Sequence, residues 1–170
     1  MILSLLSFSY AQATFVQVSQ ISSPVGYVSL SEAVAPGTTY QTIQPNLTSS
    51  GYTFGYWSVG GNRLTDSDGR SITRGEITVN AATTITAHYF LSTADTDTDG
   101  LLDWFEFRNF GNLDQNASSD SDADGFTNGQ ENGLGQEPTV KDSVQDGGIS
   151  SRQSSGFVFA DSSSVHYLMK

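Results

Sequence analysis

A chain of 170 residues with no cysteine is long enough for one domain or two small ones, and it excludes disulfides, thiolate metal sites and cysteine nucleophiles. Only 15% of the residues are charged and the formal net charge is -11, a balance that disfavours nucleic acid or an anionic membrane as partner and suits the exterior of a cell. The charge is local: residues 95–146 carry 13 of the 18 acidic residues against Arg108 and Lys141 alone, so repulsion within that segment calls for bound cations.

The first residues, 1–13, combine an apolar run with Ala11-Gln12-Ala13, an A-x-A pattern found at leader cleavage sites. Leu6, Phe8 and Tyr10 also alternate with Ser7 and Ser9, as in a strand with one face to bury. Both readings stay open. No apolar run reaches membrane-spanning length.

Residues 14–92 alternate in the manner of short strands, predicted over 15–20, 26–30, 38–43, 52–59, 75–79 and 84–90. Ile85, Ala87 and Tyr89 share one face of the last, with Thr84, Thr86 and His88 on the other. Turn residues separate them: Pro24, Pro36-Gly37, Pro45-Asn46, Gly60-Gly61-Asn62 and Asp66-Ser67-Asp68-Gly69. The expectation is a small antiparallel β domain. The stretch Tyr52-Thr-Phe-Gly-Tyr-Trp-Ser-Val-Gly-Gly-Asn62, followed by the strand ending at Phe90, resembles the β repeats of bacterial surface proteins, of the internalin B-repeat and Listeria–Bacteroides types. That resemblance implies adhesion or spacing, without catalytic residues.

The strongest signal lies in residues 93–146. Asp95-Thr-Asp-Thr-Asp-Gly-Leu-Leu-Asp-Trp-Phe-Glu106 places oxygen side chains at the first, third, fifth, ninth and twelfth positions and glycine at the sixth, which is the pattern of a calcium loop. Asp120-Ser-Asp-Ala-Asp-Gly-Phe-Thr-Asn-Gly-Gln-Glu131 repeats it 25 residues later. Calcium takes six to eight oxygens, which alternate residues of a tight loop can supply. The predicted ligands are Asp95, Asp97, Asp99 and Glu106 with the Leu101 carbonyl, and Asp103 directly or through water. A second set comprises Asp120, Asp122, Asp124, Asn128 and Glu131 with the Phe126 carbonyl. A short helix is predicted after each loop, from Leu101, Leu102, Phe105 and Phe110 and, more weakly, from Phe126 and Leu134.

Neither loop is preceded by an amphipathic helix, so the segment resembles thrombospondin type 3 and dockerin-like loops. In the type 3 repeats an acid-Pro-Thr sequence and a further acid follow a loop; Glu137-Pro138-Thr139 and Asp142 match this, and the resemblance implies Asp142 as a candidate extra ligand, for a third ion. It also implies that calcium is structural, replacing the core that a segment with few apolar residues cannot build.

The tail, 147–170, again offers β-favouring runs joined by a polar turn, like the N-terminal region. Neither His88 nor His166 has an acid or nucleophile at a telling spacing, and G-x-S-x-G and phosphate-binding glycine loops are absent, so no enzyme is expected. The fold expected is mainly β: a small antiparallel domain, a calcium-loop segment with one or two short helices, then C-terminal strands. The function expected is a secreted calcium-binding structural protein of a bacterial surface, self-assembling head to tail into a fibre through terminal strands. The alternative is an adhesion module of a larger secreted protein that binds glycan or a surface protein, with Tyr52, Tyr56, Trp57 and Trp104 as candidate contact residues.

Overall fold

A computed structural model describes residues 13–141, together with the backbone of 144–145 and 148–149. The chain is mainly β. In order it forms β1 (Val16–Ser23), β2 (Ser29–Val34), β3 (Thr38–Gln41), β4 (Thr48–Ser49), β5 (Tyr52–Val59), β6 (Asn62–Arg63), β7 (Glu76–Val79), β8 (Thr83–Leu91), α1 (Asp103–Asn109), α2 (Asn128–Leu134), β9 (Val144–Gln145) and β10 (Gly148–Ile149). The principal sheet runs β2-β1-β8-β5-β4, with β6 also on β5. β3 and β7 form a separate antiparallel ribbon.

Alternation of side chains builds the core. Ile85, Ala87 and Tyr89 of β8 are buried, as expected from their shared face, and they meet Val18, Phe54 and Trp57 from the sheet and Tyr40 and Val79 from the ribbon. Trp57 is fully buried, and its indole N–H donates to the Thr73 carbonyl at 3.0 Å, so its polar edge is satisfied without solvent. A glutamine sits in the same interior. Gln20 donates from Nε2 to the Tyr40 hydroxyl and accepts from the Ile43 amide, each at 2.9 Å, which ties the sheet to the ribbon while meeting its own hydrogen-bonding needs.

Three expectations are corrected. The principal sheet is mixed, because β1 pairs with β8 in parallel; alternation specifies which face a residue takes but not the direction of its neighbour. The strand expected over 26–30 lies instead at Ser29–Val34, because Ser22 Oγ accepts from the amides of Tyr27 and Val28 at 2.9 and 3.0 Å and bends the chain there. β1 runs on past Gln20 to Ser23. Of the C-terminal strands, β9 and β10 make a two-residue antiparallel pair; residues 150–170 lie outside the described residues, as do 1–12.

Helix α1 of the acidic segment packs on the sheet's second face, against β5 and β8. A β-bulge between Phe54 and Tyr56 turns both Phe54 and Trp57 inward and places Gly55 under the Phe90 ring, where a Cβ would come within 2.5 Å of it. The ring space left by that glycine lets Phe90 lie flat beneath Phe107 of α1, with centroids 4.8 Å apart and planes at 11°.

His88 stacks on its cross-strand partner Tyr56 at 4.3 Å and hydrogen-bonds Ser58 Oγ through Nε2 at 2.8 Å. Burial holds its pKa below the ordinary value. The contribution is therefore fully present above the unfolded histidine range, about 6.5, and is lost as pH falls through that range towards the folded value. Thermal unfolding between about pH 7 and 5.5 is expected to shift less with acidification in His88→Gln than in the parent; parallel pH profiles would refute this.

Candidate metal centre

The two acidic loops are superimposable in their local rules. In each, the fourth and sixth residues adopt positive φ: Thr98 (60°) and Gly100 (96°), Ala123 (61°) and Gly125 (102°). The first carboxylate then caps the turn from inside. Asp95 accepts from the amides of Asp99 and Gly100, both at 3.2 Å, and Asp120 accepts from those of Asp124 and Gly125 at 3.2 and 3.0 Å. The fifth carboxylate accepts from the seventh amide, Leu101 N at 2.8 Å on Asp99 and Phe126 N at 2.9 Å on Asp124. A backbone bond closes each loop at its ninth residue, Asp103 N to Ala94 O at 2.9 Å and Asn128 N to Ser119 O at 2.7 Å.

These turns bring carboxylates together. One oxygen each from Asp95, Asp97 and Asp99 lie within 4.8 Å of one another, and the same holds for Asp120, Asp122 and Asp124. Helix α1 then presents Glu106 to the first group. Glu106 is 0% exposed, and among the described residues neither of its carboxylate oxygens has a hydrogen-bond partner. Burial first, and then the charges of Asp99, Asp97, Asp103 and Asp95, push its carboxyl up to about 7. Desolvation and their neighbouring carboxylates likewise raise Asp97 and Asp122. Glu131 takes the corresponding place on α2 and is also 0% exposed. α2 has its own start signal: Thr127 and Gln130 form a reciprocal capping box.

Such oxygen-only sets suit a hard divalent cation, which would satisfy the buried carboxylate and cancel the mutual repulsion. Leu101 is buried and Phe126 half-buried at the seventh positions.

The ninth residues are engaged elsewhere. Asp103 accepts from Thr96 N through Oδ1 and from Thr96 Oγ1 through Oδ2, both at 2.7 Å. Asn128 accepts from Ser121 N at 3.3 Å and donates to the Asn116 carbonyl at 3.0 Å. Both residues therefore brace their loops, and Thr96 and Ser121, not singled out from sequence, receive the brace; a hydroxyl residue at the second position of each copy was the signal available. Asp142 lies outside the described residues. Glu137, in the acid-Pro-Thr stretch, pairs with Arg70, which also holds Asp66 at 2.8 Å.

The loops pack on each other through Ala117. Its carbonyl accepts from Gly129 N at 3.0 Å, and a Cβ on Gly100 would stand 3.3 Å from its methyl. As expected, no helix enters either loop among the described residues; the first follows β8 directly and the second follows the irregular stretch 111–119. Of the candidate contact aromatics, Trp57 is enclosed, whereas Tyr52, Tyr56 and Trp104 are half-buried, and Arg108 lies 5.6 Å from the Trp104 ring centroid. No described helix is long and apolar enough to cross a membrane.

No protein-family model matches this chain, and searches of curated proteins and of solved structures return no significant match.

Proposed function

We propose that this is a secreted calcium-binding structural protein, in which two ions order an acidic segment against a β domain. The observation that carries the proposal is Glu106: a fully buried carboxylate with no hydrogen-bond partner among the described residues, within electrostatic reach of three converging aspartates. An uncompensated buried anion is costly, and a calcium ion in the first loop removes that cost. The second loop joins the proposal because its scaffold repeats the first loop's capping bonds to the first carboxylate, its fifth-to-seventh bond and its closing backbone bond.

The direct ligands are Asp95, Asp97, Asp99 and Glu106 with the Leu101 carbonyl, and Asp120, Asp122, Asp124 and Glu131 with the Phe126 carbonyl. Asp103 and Asn128 act from behind them. Residence at a bacterial surface and head-to-tail assembly into a fibre extend the proposal; the assembly rests on residues 1–12 and 156–170, outside the described residues. Calorimetric titration of chelator-stripped protein is expected to give two bound calcium ions per chain. A stoichiometry of zero would end the proposal, and one ion would confine it to a single loop.

A further inference from the structure

We infer that Arg63, in the β domain, is a positioning residue for the first calcium loop, so that ion binding there and docking of α1 on the sheet are one coupled equilibrium. The inference rests on the calcium reading above and adds a partner within the chain.

The problem to be solved is the placement of Glu106. It is the last loop residue and rides on α1, a helix of seven residues, too short to persist by itself. Its N-cap, Leu102, contributes no side-chain cap. What fixes the helix is therefore the sheet. On the side away from the loop, Phe107 stacks on Phe90, and Arg108 Nη2 donates to the Phe54 carbonyl at 3.1 Å. At the C-terminal end, where carbonyls lack helical partners, Arg63 Nη1 donates to the Phe107 carbonyl and, at 3.2 Å, to that of Arg108. Its Nη2 donates to the Gly69 carbonyl at 2.6 Å, anchoring the guanidinium in the turn before Ser71, whose own amide donates to the Arg108 carbonyl at 2.9 Å.

A cation on the last turn also opposes the negative end of the helix dipole. The fit is close: a Cβ at Gly111, just past the helix, would stand 2.8 Å from the Arg63 guanidinium carbon. Glu106 and Phe107 are adjacent, so the group that would hold the ion and the group that holds the sheet cannot move independently. Calcium then favours the docked helix, and by reciprocity the docked helix raises calcium affinity.

The test separates the loops. In a Glu131→Gln background, which leaves the first loop intact, Arg63→Met is expected to weaken calcium binding about tenfold, within the usual range of intramolecular coupling, and Arg63→Lys to weaken it less. In a Glu106→Gln background, reporting the second loop, Arg63→Met is expected to change affinity less than about twofold. A purely structural arginine would lower both affinities together or neither, and either result overturns the inference. Should Arg63→Met not fold, hydrogen exchange on the unaltered chain decides: calcium must slow exchange at the Ser71 amide, and an unchanged rate overturns the coupling. An unaltered chain that binds no calcium refutes the underlying reading instead, which is a separate outcome.

Discussion

Chelation is expected to release the acidic segment, residues 95–141, while the β core stays folded. The segment's buried apolar side chains are few: Leu101, Phe105 and Pro138 are enclosed there, whereas nine enclosed apolar side chains form the core of the β domain. Its other buried groups include Asp103, Glu106, Asn109, Asn128 and Glu131, which cost free energy to bury unless each finds a partner. Two ions, each present at about a hundredfold excess over its dissociation constant, would contribute about 5 kcal/mol in all, comparable with the whole stability of a small domain. Removing them should expose the stretch from Asn112 to Gly135 to a nonspecific protease within minutes, while the β signal in circular dichroism persists. Equal protease resistance with and without calcium would show that the segment holds itself together, and that the ions are incidental to the fold.

How much of this was open to sequence reasoning depends on how far apart the cooperating residues lie. A calcium loop writes its ligands, its glycine and its closing acid into twelve consecutive residues, so both sites could be proposed from spacing alone. The inward face of β8 was legible for a similar reason, since strict alternation over nine residues fixes a face, whereas β5 was legible as a strand but not as a face, because its bulge turns both Phe54 and Trp57 inward. Pairing is different. Nothing in β1 or β8 marks them as parallel neighbours, and nothing in Phe107 marks Phe90 as the ring it covers, because those contacts are chosen by the closure of the whole chain. Arg63 carries no local signal of its role, because the end of α1 that it holds lies 44 residues further along the chain. Asp103 shows what spacing leaves unread. Its position in the pattern offers a ligand, directly or through water, while its bonds to Thr96 lie only seven residues away and were within reach of a local reading that asked what the second loop residue was for.

Substitutions at the twelfth and ninth positions of that pattern should therefore behave differently. Glu106→Gln is expected to lower calcium affinity of the first loop more than about a hundredfold, because it removes one charge from direct contact with a divalent ion in a site shielded from water. The same change should make the calcium-free protein more stable at neutral pH: burial and four nearby carboxylates oppose ionisation of Glu106, and glutamine removes the charge while keeping the shape. The sign follows from linkage, since a carboxyl raised in the folded state costs stability once pH exceeds the unfolded value, and that cost is complete above the folded one. Asp103→Asn is expected to leave affinity within about threefold. Asparagine can still accept from the Thr96 amide, and Asn128 already fills this position in the second loop with a bond to the Ser121 amide. Denaturation with and without calcium, alongside calorimetry of both variants, checks the pair. If Asp103→Asn were as damaging as Glu106→Gln, the ninth carboxylate would be a direct ligand, and the brace to Thr96 would have to yield when the ion binds.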